Sequence, residues 1–209
     1  MKLARGDFSS KRIEHYAEII ADSDTWITPT LTTSRKLLAI FADLEAELAR
    51  SEMCYLHPMA KGMWSYLIEN RYLKIPQEIQ QAIRLGFEAF QRPFTKVLHD
   101  KGVKLMTGTD VLIPLNIPGY SIHEELHELV DVGLTPFEAL KAATTYPMEY
   151  LGRLGEAGTI EVGKQSNFVL LDVNPLDDID NIKKVAGVLF RESWLNRQEI
   201  QKRLDNFYW

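Results

Sequence analysis

The stretch Gly102-Val103-Lys104-Leu105-Met106-Thr107-Gly108-Thr109-Asp110 constrains this chain more than any other. A glycine stops the helical periodicity before it, a short apolar run follows, and the run ends on Gly-Thr-Asp. That pattern delivers one carboxylate to the end of a buried strand, with Gly108 letting the backbone bend beside it. An earlier run, Thr25-Trp26-Ile27-Thr28-Pro29-Thr30-Leu31, is β-branched and aromatic and also reads as a strand. Pro29 falls near its end, where a ladder donor can be spared. Helical spacing fills the interval between the two runs. Helix, strand, helices, strand, helix, helix is the rhythm of an α/β fold with parallel strands.

The helices follow from apolar spacing and punctuation. Asp7, Ser9 and Ser10 offer N-caps for a helix through Ile13, Tyr16, Ile19 and Ile20, ended by Asp22-Ser23-Asp24. Leu37, Leu38, Phe41, Leu44 and Leu48 share one face of a second helix. Pro58 starts a segment carrying Met63, Trp64 and Leu67, broken at Ile75-Pro76. A long amphipathic helix then carries Ile79, Ile83, Phe87, Phe94 and Leu98, and Pro93 predicts a kink or restart within it. Ser121 with Glu124 predicts a capping box for a helix stopped by Gly133, and Thr135, Pro136 and Glu138 repeat the device.

The texture changes near Gly152. Thr159-Ile160-Glu161-Val162 reads as a short alternating strand, Phe168-Val169-Leu170-Leu171 as a strand buried on both faces, and residues 185–190 as another. Trp194-Leu195 is a further partner beyond a turn, and Asn196 caps a terminal helix through Ile200, Leu204 and Phe207. Two or three strands alone are seldom stable, so this β module needs a sheet partner that the chain does not offer.

The 209 residues suffice for one sizeable core, or one domain and an appendage. Apolar content of 45% and charged content of 25% are those of a soluble globular protein. A net charge of −5 argues against nucleic acid and against an anionic membrane surface. Cys54 is the one cysteine, which excludes an internal disulfide and fits a reducing compartment. Its apolar helical context, Glu-Met-Cys-Tyr-Leu, predicts buried packing over a nucleophile. The first residues hold no signal-peptide core and no run of about 18 apolar residues occurs, so a cytoplasmic protein is expected.

Taken together, these motifs resemble the C-terminal half of an amidohydrolase-superfamily enzyme, near its imidazolonepropionase-like and prolidase-like members. Pro29-Thr30-Leu31, Gly108-Thr109-Asp110, Pro118-Gly119-Tyr120-Ser121 and Glu125-Leu126 carry the resemblance first. Gly133-Leu134-Thr135-Pro136, Glu138-Ala139-Leu140, Ala143-Thr144, Gly158 to Lys164 and Leu170-Leu171-Asp172 continue it in the family's order. The resemblance implies the last part of a (β/α)8 TIM-type barrel over residues 1–152, from after about strand six to strand eight. C-terminal strands of a small β-sandwich over 153–195 and a terminal helix over 196–209 would follow. One turn departs from the family: Asn167 stands where relatives carry Asp. The larger departure is the absence of the family's His-x-His pair, its bridging Lys or Glu and its fifth-strand His.

The same resemblance assigns Asp110 as a metal ligand and proton shuttle in hydrolysis of an amide or dipeptide-like C–N bond. The implied cofactor is a divalent metal such as zinc, and the site within this chain is incomplete. The implied partners are a small-molecule amide or peptide-like substrate, with the missing N-terminal half or a second copy of the chain. A non-catalytic remnant serving as a binding or assembly module is the alternative. His57 and His123 are candidate substrate contacts, and the plainer reading of each is a surface histidine. Arg12-Ile13-Glu14-His15 superficially resembles the family's strand-six Ile-Glu-His. A helix cap precedes it, however, and only about 13 residues separate it from Pro29, near the minimum for a crossover, so His15 reads as a helix residue. His99, in the last turn of its helix, reads as a dipole partner.

Overall fold

The computed structural model describes residues 8–111 and 113–206; Asp7 and Phe207, given roles above, lie outside them. Helix α1, Ser10–Ala21, has Ser9 at its N-cap and buries Ile13 and Ala17. Helix α2, Leu31–Leu48, starts where the first strand was expected to end, because Thr30 takes a left-handed conformation (φ 48°). The two expected strands lie parallel but are one rung deep, an isolated bridge between Ile27 and Leu105. Ile27 N–H donates to the Lys104 carbonyl (3.2 Å), and Met106 N–H donates to the Ile27 carbonyl (2.8 Å). The ladder stops there for two reasons. Pro29, whose nitrogen falls where the next rung would donate, has no N–H, and beyond Leu105 the chain leaves the strand, with Thr107 N–H on the opposite edge donating to the Ala142 carbonyl at 3.0 Å.

Asp43 leaves helical geometry inside α2 (φ −158°), and its Oδ1 accepts the Ala46 N–H at 3.0 Å, capping the second half. A 3-10 turn, Ser51–Tyr55, follows and carries Cys54 exposed. The expectation of a buried cysteine is therefore corrected: the turn points Met53 and Leu56, three residues apart, toward Trp64 and Ile117, and Cys54 falls off that face. Helix α3 spans Pro58–Leu67, α4 Gln77–Gly86 and α5 Arg92–Asp100. A widened π-type turn, Phe87–Gln91, separates the last two. The widened turn lies just before Pro93, with the backbone staying helical through Gln91 and Arg92, so the proline is accommodated by a bulge in a continuous helix. At the end of α5, Gly102 (φ 80°) sends its N–H to the His99 carbonyl while Val103 N–H reaches Leu98, a Schellman stop.

Helices α6, Ser121–Asp131, α7, Pro136–Ala143, and α8, Thr145–Tyr150, complete the helical part. The Thr135–Glu138 capping box forms. The Ser121–Glu124 box does not: Tyr120 is already helical, and Ser121 N–H donates to the Ile117 carbonyl at 2.9 Å. Glu124 turns instead to Lys36 and Arg50, each at 2.7 Å. The main core joins Leu31, Leu38, Phe87, Leu98, Leu105, Leu129 and Ala139 from these helices and the bridge.

Strands β1, Phe168–Leu171, β2, Val185–Phe190, and β3, Ser193–Asn196, form one antiparallel sheet in that order, and helix α9, Arg197–Asp205, follows from an Asn196–Glu199 capping box. Two expectations fail here. Residues 159–162 form no strand, with Ile160 83% exposed and Val162 fully so. Val169 and Leu170, expected in a strand buried on both faces, are about half exposed. A strand hides both faces only when both are covered, and no second layer among the described residues covers this sheet.

Arg191 and Glu192 link β2 to β3 with φ of 47° and 67°. Two-residue hairpin turns of this kind favour Asn-Gly over long side chains. Glu192→Gly is expected to stabilise the protein by about 1 kcal/mol, read as a higher urea midpoint. Among the described residues, no helix is long and apolar enough to cross a membrane.

Candidate functional site

The Ile27–Leu105 rung sets residues 28–30 beside residues 106–110. Gly108 makes the approach possible, since a Cβ there would run into the Thr28 methyl and come within 3.2 Å of that of Thr30. Gly108→Ala is expected to cost about 1–3 kcal/mol, measured as a lower unfolding midpoint. Behind the turn, the Thr109 carbonyl accepts from the amide of Asn116 and from Thr33 Oγ1 (3.3 Å). Asn116 Nδ2 also donates to Thr33 Oγ1 at 3.1 Å, and Asn116 is fully buried. One carbonyl thus ties the strand end to the first turn of α2 and to the loop that follows.

Asp110 comes next, in a left-handed conformation (φ 47°) that aspartate tolerates better than most residues. Its carbonyl accepts the Ile113 N–H at 3.2 Å. Its side chain is exposed and meets no hydrogen-bond or ion-pair partner among the described residues.

The first turn of α2 is held from the far side by Glu125 of α6. This carboxylate is fully buried; Oε1 accepts the Leu31 N–H (3.1 Å) and Oε2 the Thr32 N–H (2.8 Å). It takes the place of the cap that Thr30 does not supply, satisfying two donors of a helix N-terminus with a negative charge. Burial pushes its pKa up to about 7, with the charge of Glu128 adding to the rise and the two N–H bonds opposing it.

A groove of about 470 Å³ opens alongside, walled mainly by Tyr55, Leu56, Ala60, Trp64, Ile117 and Tyr120. Val111, covalently next to Asp110, lies on its edge, and Leu204 of α9 closes one side. The Tyr55 and Tyr120 rings are stacked, 5.7 Å between centroids and 8° from parallel. Burial, with a hydrogen bond to Tyr55, pushes the Tyr120 hydroxyl up to about 12. His57 also lines the groove. It is the N-cap of α3, its Nδ1 accepting the Met59 N–H at 3.1 Å. A ring that accepts at Nδ1 carries its proton on Nε2.

The structure therefore brings His57 and Asp110 to one region, while His123 lies elsewhere. His123 is on the face of α6 turned toward the Ile179–Lys183 turn, where burial and then Lys183 lower its pKa. A smaller, charged cleft of about 220 Å³ runs along that side, lined by Lys36, Glu124, His127 and Asp180 among others. His15 lies exposed on α1 against Tyr16, and His99 lies 3.5 Å from Glu138. A catalytic zinc needs about three protein ligands. Among the described residues no group of three or more His, Cys, Asp or Glu could hold a metal. The residues present do not by themselves fit one.

The profile of the amidohydrolase family matches residues 11–192. The chain belongs to the amidohydrolase family. As a mixed α/β chain it fits the TIM-barrel superfamily to which such enzymes belong. No curated protein matches the chain. Among solved structures it is similar to a Xaa-Pro dipeptidase with methionine bound in the active site, at 18% identity and TM-score 0.60, covering 87% of this chain and 37% of that one. Bottromycin amidohydrolase gives 20% identity and TM-score 0.62, covering 85% and 38%. A prolidase in complex with N-methylphosphonate-L-proline gives 28% identity and TM-score 0.50, covering 65% and 33%. This amidohydrolase chain thus spans well under half the length of these structures, and the likeness to the first two is one of fold. Glu125, the buried brace on α2, is the residue beside the site that local sequence missed. It belonged to a matching motif, and the signal of its role was an acidic residue one turn after Ser121 beside the inward-facing Leu126 and Leu129.

Proposed function

We propose that this chain is the C-terminal part of a metal-dependent hydrolase acting on amide or dipeptide-like C–N bonds. One observation supports it most: a carboxylate with no partner among the described residues stands next to Val111 of an apolar groove, on a backbone fixed from behind by Thr33 and Asn116. In this reading Asp110 takes a proton from the attacking water and returns it to the leaving nitrogen. The C–O bond forms, the C–N bond breaks, and the amine leaves neutral. Asp110 is also one ligand of a divalent metal, such as zinc, that would polarise the carbonyl and activate the water. The other ligands come from a segment outside this chain. Residues 1–152 are then a partial barrel, 153–195 part of a β-sandwich and 196–209 its terminal helix.

Exposed Ile160, Val162, Val169, Leu170 and Trp194 support a covering partner, either the N-terminal half or a second copy. The chain alone is expected to scatter light as a species larger than a monomer; a monodisperse monomer with a sharp cooperative melt counts against such a partner.

The incomplete donor set favours a second reading, a catalytically incompetent module that binds or assembles. The coding sequence immediately upstream separates the two. If it encodes the missing strands and a His-x-His pair, the two halves mixed with zinc should hydrolyse a dipeptide, and a chelator should stop it. An upstream sequence without them, or a mixture that stays inactive, establishes the module. The isolated chain is expected to bind no zinc tightly; a stoichiometric zinc would show that residues of this chain complete the site.

A further inference from the structure

We infer that the groove beside Asp110 is a side-chain subsite for an uncharged aromatic or branched aliphatic group carried next to the scissile bond. The inference rests on the placement of the reacting carbonyl near Asp110 and names the substrate class that placement selects.

Position supports it first. Val111 belongs to the groove and is the chain neighbour of Asp110, so their Cα atoms are about 3.8 Å apart. A substrate with its carbonyl at the Asp110 carboxylate can therefore reach the groove with a substituent laid across Val111. Size agrees, since about 470 Å³ lies in the ordinary range for small-molecule sites.

Charge is the deciding property. Among the described residues, no Asp, Glu, Lys or Arg lines the groove. Its two tyrosine hydroxyls are bonded to each other, and Tyr120 stays protonated far above neutrality. His57 commits Nδ1 to the Met59 N–H. A charged side chain entering here would lose water, and no charged residue of the described lining would pair with it. An aromatic or branched aliphatic group would pack against Trp64, Ile117 and the Tyr55–Tyr120 stack at no such cost.

The test is a titration of the full chain with N-acetyl amides of phenylalanine, leucine, aspartate and lysine, followed by ligand-observed NMR. The phenylalanine and leucine amides should bind about tenfold or more tightly than either charged one. Ala60→Trp, which fills the groove, should abolish that binding. Val111→Asp, at a partly exposed position, should weaken phenylalanine binding and raise lysine binding. Equal affinity for all four amides, or binding untouched by both variants, overturns the subsite. Asp110→Asn should leave the order of affinities unchanged. If that variant stays active in the reconstituted enzyme, the proton-transfer role falls and the subsite stands. If the order is missing while Asp110→Asn is inactive, the subsite alone falls.

Discussion

Asp110→Asn is expected to lower turnover by the reconstituted hydrolase about a hundredfold to ten-thousandfold with no loss of stability. The two halves of that expectation have separate causes. Asparagine keeps the shape of aspartate and tolerates the left-handed backbone at least as well, and the carboxylate has no partner among the described residues to lose. The unfolding midpoint should therefore stay within about 0.5 kcal/mol of the parent, as for surface changes away from such features. The amide, however, cannot take a proton from water at neutral pH, and it is a poorer metal ligand than a carboxylate. Comparing kcat/KM with the urea midpoint in the same preparation keeps the two causes apart. Retained turnover in a folded Asp110→Asn protein would remove the assigned role, and lost turnover with lost folding would show that Asp110 holds structure.

What was legible in the sequence was local. The glycine stops at Gly102 and Gly133, the Thr135–Glu138 box and the Asn196 cap each depend on a few adjacent residues, and the structure contains them, whereas the strand expected to end at Gly108-Thr109-Asp110 shrinks to the Ile27–Leu105 rung. The Ser121–Glu124 signature has the same local form and fails for distant reasons. Lys36 and Arg50 hold Glu124, and the Ile117 carbonyl already takes the Ser121 N–H. The alternation at Thr159–Val162 was real as a pattern, but a strand needs a neighbour, and residues 159–162 find none. The candidate site divides along the same line. Asp110 was visible because a Gly-Thr-Asp strand end is short. The groove joins residues 55–64 to residues 117–120, and the brace on α2 joins Glu125 to residues 31 and 32. The partner in such a contact is not written in either segment alone.

That brace carries the other large effect. Glu125→Ala should destabilise the protein by about 2–4 kcal/mol, because two buried N–H groups at the start of α2 lose their acceptor. The pH dependence tells more. With its pKa pushed up to about 7, above the ordinary 4.5, Glu125 binds its proton more tightly folded than unfolded. Its contribution to stability is full below about pH 4.5, falls as pH rises through 7, and is level above that. The whole swing is on the order of 3 kcal/mol. Glu125→Gln keeps one acceptor and removes the titration, so the difference between parent and variant should shift against the parent between pH 5 and 7.5 on a scale of about 2 kcal/mol. A difference constant with pH would show that the two N–H bonds overcome burial and leave the carboxylate ionised throughout. The consequence reaches the site. Thr33, one residue beyond the brace, grips the Thr109 carbonyl behind Asp110, so loosening the start of α2 releases the backbone that aims the carboxylate. Glu125 is thus a positioning residue, and Glu125→Gln should lower kcat of the reconstituted enzyme more than it raises KM, with the loss changing as pH crosses 7.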